Sequence, residues 1–129
     1  MGLKNFLTDQ QHIGIPSVDL DKTVDFYEHL GFSTIGKFLN GPNRCYFLQL
    51  GHLVIETWEG DDTVQKVGAI NHISLDTADV DGAFQAAKDE HFELLNDSIQ
   101  EIPSFWNNGI RFFNILGPNK ETIEVCQIN

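Results

Sequence analysis

The sequence predicts an α+β fold in which two tandem βαβββ modules form a cupped, mixed β-sheet. When the 129-residue chain is shifted by 60 positions, HIGI at 12–15 aligns with HISL at 72–75, and Asp19 aligns with Asp79. Such self-similarity indicates one structural unit that occurs twice. In each copy an alternating apolar pattern, typical of a strand, precedes a pattern of period three to four, typical of a helix, and extended segments follow. We expect both copies to form one domain over residues 1–129.

The first module is expected at about residues 8–60. Its opening strand is predicted at 11–18, where apolar residues alternate with polar or small ones. Either Asp19 or Asp21 can cap the following helix, and Gly31 ends it. Three extended segments are then predicted, at 32–39, 46–50 and 53–58.

The second module is expected at about residues 68–129, after a polar linker at 60–68. A strand is predicted at 69–77, and a helix from about Asp79. Three extended segments follow, at 92–99, 110–116 and 122–128.

Composition and charge narrow the classes of partner. The chain has 41% hydrophobic and 21% charged residues, which is ordinary for a globular domain. Its net charge is −11, and its eight basic residues are scattered, so nucleic acid and anionic membrane surfaces are poor partners. No apolar run approaches the roughly 18 residues of a membrane span, and the N-terminus lacks the pattern of a secretory signal. We expect a cytoplasmic protein.

Four residues with metal-binding side chains occupy equivalent places in the two modules. His12 and His72 lie on the opening strands, and Glu56 and Glu124 lie on the closing strands. A single histidine or glutamate on a strand is more often structural, but four at matching positions favour a joint site. Two imidazoles and two carboxylates suit one divalent ion: Zn²⁺, Ni²⁺, Co²⁺, Mn²⁺ or Fe²⁺.

Two stretches of the sequence resemble a known family. QHIGIPSVDLDKTVDFYEHLGF is similar to the opening of the vicinal oxygen chelate superfamily, and FFNILGPNKETIEV is similar to its closing D-P-D-G-N-x-I-E signature. That superfamily includes glyoxalase I, fosfomycin and bleomycin resistance proteins, extradiol dioxygenases and methylmalonyl-CoA epimerase. Gly117 replaces the first Asp of the signature, and Lys120 and Glu121 replace its Gly-Asn pair. The resemblance covers nearly the whole chain and implies the same four metal ligands, one by one.

The fourth ligand, Glu56, makes the chain most similar to glyoxalase I. The resemblance implies a metal-dependent lyase or isomerase, like lactoylglutathione lyase, that acts on a hemithioacetal or another α-hydroxycarbonyl compound through an enediolate on the metal. It also implies that Glu124 is the principal base and Glu56 the second acid/base, with roles that the symmetry allows to be exchanged. A homodimer is a further implication.

Two other functions stay open. A non-haem iron dioxygenase would need His12, His72 and Glu124 but would tolerate the loss of Glu56. A metal-free protein that binds an aromatic drug, as bleomycin-resistance proteins do, would use aromatic side chains as stacking surfaces.

Seven residues are candidates for contact with a small-molecule substrate. Side chains two apart on a strand share a face, which places three of them beside the ligands. Two aromatic residues lie in a connecting loop, where they could form a substrate wall or a dimer contact. Two arginines near strands could hold a carboxylate, or could be surface ion-pair partners. The candidates are, in that order, Trp58, Ser74 and Cys126; Phe105 and Trp106; and Arg44 and Arg111. The scarcity of cations argues against glutathione in particular.

Overall fold

A computed structural model describes residues 2–6 and 8–129. The chain divides into two compact units, Met1–Thr63 and Val64–Asn129, with one βαβββ module in each. The predicted α+β class and the repeated module are confirmed. A short 3-10 helix, Leu3–Asn5, precedes the first module. None of the helices in the described part of the chain is long and apolar enough to cross a membrane.

The first module forms a four-stranded mixed sheet with one helix. The strand order is β1-β4-β3-β2, with β1 parallel to β4 and the other neighbours antiparallel. Its elements are β1 (Ile13–Pro16), α1 (Leu20–His29), β2 (Ser33–Asn40), β3 (Asn43–Leu50) and β4 (Leu53–Trp58).

Helix α1 begins and ends where the sequence predicts. The Asp19 carboxylate accepts a hydrogen bond from the backbone N–H of Lys22, which caps the first turn. Gly31 follows with φ +101°, a left-handed conformation that glycine adopts without steric cost. Leu20 and Tyr27 on the apolar face of the helix are buried against the sheet.

The second module repeats this arrangement. Its strand order is β5-β8-β7-β6, with β5 parallel to β8. The elements are β5 (Ile73–Asp76), α2 (Val80–Asp89), β6 (Gln100–Ile102), β7 (Ile110–Leu116) and β8 (Thr122–Ile128). Asp79 caps α2 by accepting from the backbone N–H of Gly82.

The predicted strand at 92–99 is wrong. Only an isolated bridge between Leu94 and Ile115 forms there, and the strand that pairs with β7 is the three-residue β6. The reason is a side chain that replaces the main-chain ladder: Asn96 Oδ1 accepts the backbone N–H of Asn114 at 2.7 Å. A side-chain acceptor of this kind satisfies the strand's donor and interrupts regular pairing.

Each sheet has one face covered by its helix and one face without a helix. Ile55 and Thr57 in the first module, and Ile115 and Ile123 in the second, are almost fully buried on the covered face. Because side chains alternate along a strand, their neighbours point to the other side. We call this other side the helix-free face of each module; it carries the two glutamates and the side chains that contact them.

Candidate metal centre

In the first module, one histidine and one glutamate lie close together on the helix-free face. His12 directly precedes β1, and β1 pairs with β4 so that Gly14 lies opposite Glu56. This register brings His12 Nε2 to 3.4 Å from Glu56 Oε1. Phe47, opposite Glu56 on β3, packs edge to face with the imidazole ring. Both polar side chains are about one-third exposed or less, at 33% and 27%.

The other oxygen of Glu56 faces a thiol. Cys45 Sγ donates to Glu56 Oε2 at 3.5 Å. Burial, and then the neighbouring Glu56 charge, raise the pKa of the Cys45 thiol to about 11. The thiol therefore stays protonated near neutral pH and acts as a weak donor.

The second module places its own pair in the same way. His72 directly precedes β5, and His72 Nε2 lies 3.9 Å from Glu124 Oε2. Ser74 is paired in register with Glu124, and its hydroxyl donates to Glu124 Oε1 at 2.8 Å. The same hydroxyl lies 3.2 Å from the sulfur of the buried Cys126. Two of the substrate-contact candidates, Ser74 and Cys126, thus lie together beside a predicted ligand.

An amide precedes each histidine and faces its other ring nitrogen. Gln11 Oε1 lies within hydrogen-bond distance of His12 Nδ1, and Asn71 Oδ1 lies 3.0 Å from His72 Nδ1. An amide oxygen accepts only from a protonated nitrogen, so this contact favours the tautomer with an unprotonated Nε2. A metal-binding histidine is commonly held in this way.

Each module brings one imidazole and one carboxylate close together. Two atoms that are each about 2.1 Å from one ion lie roughly 3 to 3.4 Å apart, depending on its coordination geometry. The His12–Glu56 separation of 3.4 Å matches that range. The His72–Glu124 separation of 3.9 Å is longer, and a small side-chain movement would bring it into the range. Among the residues that the structure describes, no three His, Cys, Asp or Glu side chains form a group that could hold a metal. What the structure shows is therefore one His–Glu pair within each module.

The two arginines form the same ion pair in each module. Arg44 Nη1 lies 2.9 Å from Asp21 Oδ1, and Arg111 Nη2 lies 2.7 Å from Asp81 Oδ1. Both carboxylates lie in the first turn of a helix, so each pair joins a strand to the helix on the covered face.

These ion pairs occupy the guanidinium groups. Arg44 also contacts Glu59 at 3.0 Å and lowers the pKa of that carboxyl, while Arg111 lowers the pKa of Asp81. Arg111 alternates with residues of the helix-free face, so the structure does not bring it to Glu124.

Trp58 covers the first module's site from one side. A Cβ atom added at Gly14 would lie 3.1 Å from the Trp58 ring, so the absence of a side chain at Gly14 makes room for the indole. The indole N–H donates to Asp61 Oδ2 at 2.7 Å. Trp58 lines a cavity of about 330 Å³ together with Cys45 and Glu56. The predicted position of Trp58 beside Glu56 is what the structure shows.

A second cavity, of about 390 Å³, lies within the second module. Its lining combines His72 and Glu124 with apolar side chains from β6, β7 and the turn after β6. Phe105 belongs to this lining. Trp106 is 69% exposed and, among the described residues, is not part of it. The structure therefore separates two loop aromatics that the sequence treats alike.

The comparisons with known proteins agree with this architecture. A model of the Glyoxalase/Bleomycin resistance protein/Dioxygenase superfamily matches residues 11–113, and the chain belongs to that superfamily. The resemblance to the vicinal oxygen chelate superfamily is thereby confirmed.

A relative and two solved structures illustrate how far the similarity extends. The uncharacterized protein YwbC of Bacillus subtilis (strain 168) is 29% identical over 123 residues, which is 90% of this chain and 94% of YwbC. A glyoxalase family protein from Enterococcus faecalis is similar in structure, with a TM-score of 0.76, 15% identity, and coverage of 94% of this chain and 98% of that one. The fosfomycin resistance protein FosX from Listeria monocytogenes, in complex with Mn(II) and sulfate, has a TM-score of 0.73 and 19% identity, with coverage of 95% and 94%. At these identities the solved structures show the fold.

Sequence reasoning missed the two amides, Gln11 and Asn71, and also Asn114, which lies opposite Glu124 on β7. A signal for the amides was present, since both precede a candidate ligand at the 60-residue repeat distance. Asn114 carried no such signal, because its counterpart opposite Glu56 is Phe47.

Proposed function

We propose that the protein is a metal-dependent, glyoxalase I-like lyase or isomerase in which His12, Glu56, His72 and Glu124 hold one divalent ion. The observation that supports this proposal is the His–Glu pair that recurs in each module, with N–O separations of 3.4 and 3.9 Å. The amides beside both histidines fit the same role, because they leave Nε2 available as a ligand.

The ligand set fits Zn²⁺, Ni²⁺, Co²⁺, Mn²⁺ or Fe²⁺. Such an ion supplies Lewis acidity, which polarises the oxygens of an α-hydroxycarbonyl compound and makes the adjacent C–H bond easier to deprotonate. The two carboxylates balance the charge of the ion, so the site with four ligands is close to neutral.

The chain's own residues would carry the proton. Glu124 collects the proton from the substrate carbon, and Glu56 returns a proton to the neighbouring carbon. The Ser74 hydroxyl holds Glu124 Oε1, so Oε2 is the oxygen that faces His72. A carboxylate fixed in this way is positioned before the substrate binds, which lowers the entropic part of the barrier.

One protein of the same fold supports a metal-based function. FosX, which shares the fold, has been crystallised with Mn(II). Metal use by a protein of this fold is consistent with the ligand set of this chain. A homodimer and a cytoplasmic location, both expected from the sequence, are part of the proposal.

The test is isomerisation of a hemithioacetal by protein reconstituted with each of the five metals. We expect turnover that is abolished by chelation and restored by metal. The double variant Glu56→Gln, Glu124→Gln should lose turnover, whereas His29→Ala, His52→Ala, which alters histidines outside the site, should keep it. Unchanged metal binding and unchanged turnover in the double Gln variant would contradict the proposal.

A metal-free ligand-binding protein is the second candidate. The observation that favours it is the cavity of the second module, whose apolar side chains include the half-exposed Phe105. Binding of an aromatic ligand with equal affinity before and after chelation would favour this candidate over the enzyme.

A further inference from the structure

We infer that the substrate is an uncharged α-hydroxycarbonyl compound whose apolar substituent, aromatic or branched, lies in the second module's cavity against Ile102, Phe105 and Phe112. This inference rests on the proposed function, since it names the substrate class of the same site. Two independent features of the cavity carry it: its lack of cations and the way in which its apolar wall is built.

The first feature is charge. Among the described residues that line the cavity there is no lysine or arginine, while Glu124 contributes a carboxylate. The neighbouring Arg111 points to the covered face, where Asp81 holds it at 2.7 Å. In the first module, Arg44 lines its cavity but is already paired with Asp21 and Glu59. A substrate carboxylate or phosphate would therefore find no free guanidinium in either cavity.

The protein's net charge acts in the same direction. At −11 the chain repels anions over the distance at which substrates approach. The two glutamates of the proposed site also offset the charge of a divalent ion, which leaves little attraction for a remote anionic group.

The second feature is the apolar wall. Ile102 comes from β6 and Phe112 from β7, so a paired sheet fixes both. Phe105 lies in the following turn, where its backbone N–H donates to Ile102 O at 3.3 Å and its carbonyl accepts from Gly109 N at 2.8 Å. The turn is therefore anchored, yet the Phe105 side chain is 51% exposed.

An ordered aromatic ring that lines a cavity while half exposed is suited to cover an apolar ligand group. The polar lining side chains other than the two ligands are neutral: Asn71, Asn114 and Thr122. Neutral amides and a hydroxyl match the hydroxyl and carbonyl groups of the substrate and offer no partner for a formal charge.

The reaction on such a substrate needs no co-reactant. In a hemithioacetal the C–H bond of the carbon that bears sulfur breaks, a C–H bond forms on the former carbonyl carbon, and the hydroxyl carbon becomes the thioester carbonyl. The hydroxyl of the sulfur-bearing carbon loses its proton, and the former carbonyl oxygen gains one. Two protons leave and two return, so atoms and electrons balance without an oxidant or reductant.

The experiment compares substrates that differ in one property. Metal-reconstituted protein is assayed with three hemithioacetals: phenylglyoxal with 2-mercaptoethanol, which is neutral and aromatic; phenylglyoxal with 3-mercaptopropionate, which is anionic; and methylglyoxal with 2-mercaptoethanol, which lacks the ring. We expect kcat/KM for the first to exceed that for each of the others by about 10-fold or more. Equal or better turnover of the anionic substrate would overturn the inference.

Variants locate the effect in the cavity wall. Phe105→Ala should lower kcat/KM about 10-fold for the neutral aromatic substrate and little for the methylglyoxal adduct. Leu95→Ala, which removes a 47% exposed apolar side chain outside the cavity lining, is the matched control and should change neither. Phe105→Lys, a change at an exposed position that leaves the core untouched, should shift the preference toward the anionic substrate. An unaltered preference in both Phe105 variants would contradict the inference.

A binding measurement separates this inference from the proposed function. 2-Hydroxyacetophenone and its 4′-carboxy analogue are titrated into the metal-loaded protein by calorimetry. If the neutral ketone binds with the same dependence on Phe105 but no hemithioacetal is turned over, the substrate class stands and the enzymatic proposal fails. If the carboxylate analogue binds as tightly, or neither compound binds, the substrate class is wrong.

Discussion

The two modules present the same His–Glu pair in different surroundings. In the first, Glu56 lies opposite Gly14 and Phe47, and its nearest donor is the Cys45 thiol at 3.5 Å. In the second, Glu124 lies opposite Ser74 and Asn114, and its donor is the Ser74 hydroxyl at 2.8 Å.

This difference teaches that the repeat keeps the His–Glu pair while the residues beside it differ between the modules. A hydroxyl that donates to a carboxylate forms a strong, charge-assisted bond, whereas a thiol is a weak donor. Glu124 is therefore held in one orientation, and Glu56 is held less firmly. The asymmetry supports a division of labour in which Glu124 is the positioned base and Glu56 the second acid/base.

The largest expected effect concerns a feature that the two modules share, the amide before each histidine. Asn71→Leu and Gln11→Leu should each weaken metal binding about 10- to 100-fold, because the imidazole loses the acceptor that fixes its tautomer. Asn71→Asp keeps an acceptor at the same distance and should retain most of the affinity. Competition with a chromophoric chelator measures the metal affinity of each variant. Equal affinity in the Asn71→Leu and Asn71→Asp variants would contradict a role of the amide oxygen in metal binding.

The next effect sharpens the contrast between the two carboxylates. Ser74→Ala should lower kcat about 10-fold, since a hydrogen bond to a charged group contributes roughly 1.5 kcal/mol or more. Cys45→Ala should lower it less than about 3-fold, because the thiol is a weak donor. Ser74→Thr, which keeps the hydroxyl, should restore turnover. A larger loss for Cys45→Ala than for Ser74→Ala would reverse the proposed roles.

A smaller effect concerns Gly14, the residue opposite Glu56 on β1. Gly14→Ala should cost about 1 kcal/mol of unfolding free energy, because the new Cβ meets a Trp58 ring whose N–H is tied to Asp61. Gly68→Ala is the control, because a Cβ atom added at Gly68 would meet nothing within 4 Å. Thermal unfolding measures the Tm of both variants against that of the wild type. An unchanged or raised Tm for Gly14→Ala would show that the Trp58 ring moves freely.

The smallest effect concerns the repeated arginine ion pairs, which are exposed and therefore add little stability at neutral pH. Arg111 lowers the pKa of Asp81 below its ordinary value of 3.8, and Arg44 lowers that of Glu59 below 4.5. The unfolded chain thus takes up these protons first, so the contribution is present above those values and is lost as pH falls through the lowered pKa values. Asp81→Asn should flatten the acid limb of a pH series of urea unfolding curves, and an unchanged limb would contradict the assignment.

The fold could be predicted from the sequence because apolar periodicity and the 60-residue repeat both depend on local patterns. Helix α1, with its Asp19 cap and Gly31 stop, shows this best. The segment 92–99 could not be predicted, because its pairing is interrupted by Asn96, whose acceptor reaches a backbone group 18 residues away. Long-range side-chain contacts of this kind leave no periodic signal.

The site was predictable to the same extent. Symmetry in the sequence predicted four ligands, of which the structure brings one histidine and one glutamate together in each module. Alternation along strands placed Trp58 beside Glu56 and Ser74 beside Glu124. The ion pairs of Arg44 and Arg111 could not be predicted from strand alternation. Their partners, Asp21 and Asp81, lie on helices that only the folded module brings near the strands. Phe105 and Trp106 are adjacent in sequence, and only the turn geometry decides which of them lines the cavity.

The most direct test of the central claim is the metal stoichiometry of purified protein, measured by elemental analysis beside His12→Ala, His72→Ala and the double variant. We predict one divalent ion per chain in the wild type and a large loss in either single variant, because each histidine is one of the four proposed ligands. Two ions per chain, full retention in one single variant, or no metal in the wild type even after reconstitution would contradict the proposed single ion held by four ligands.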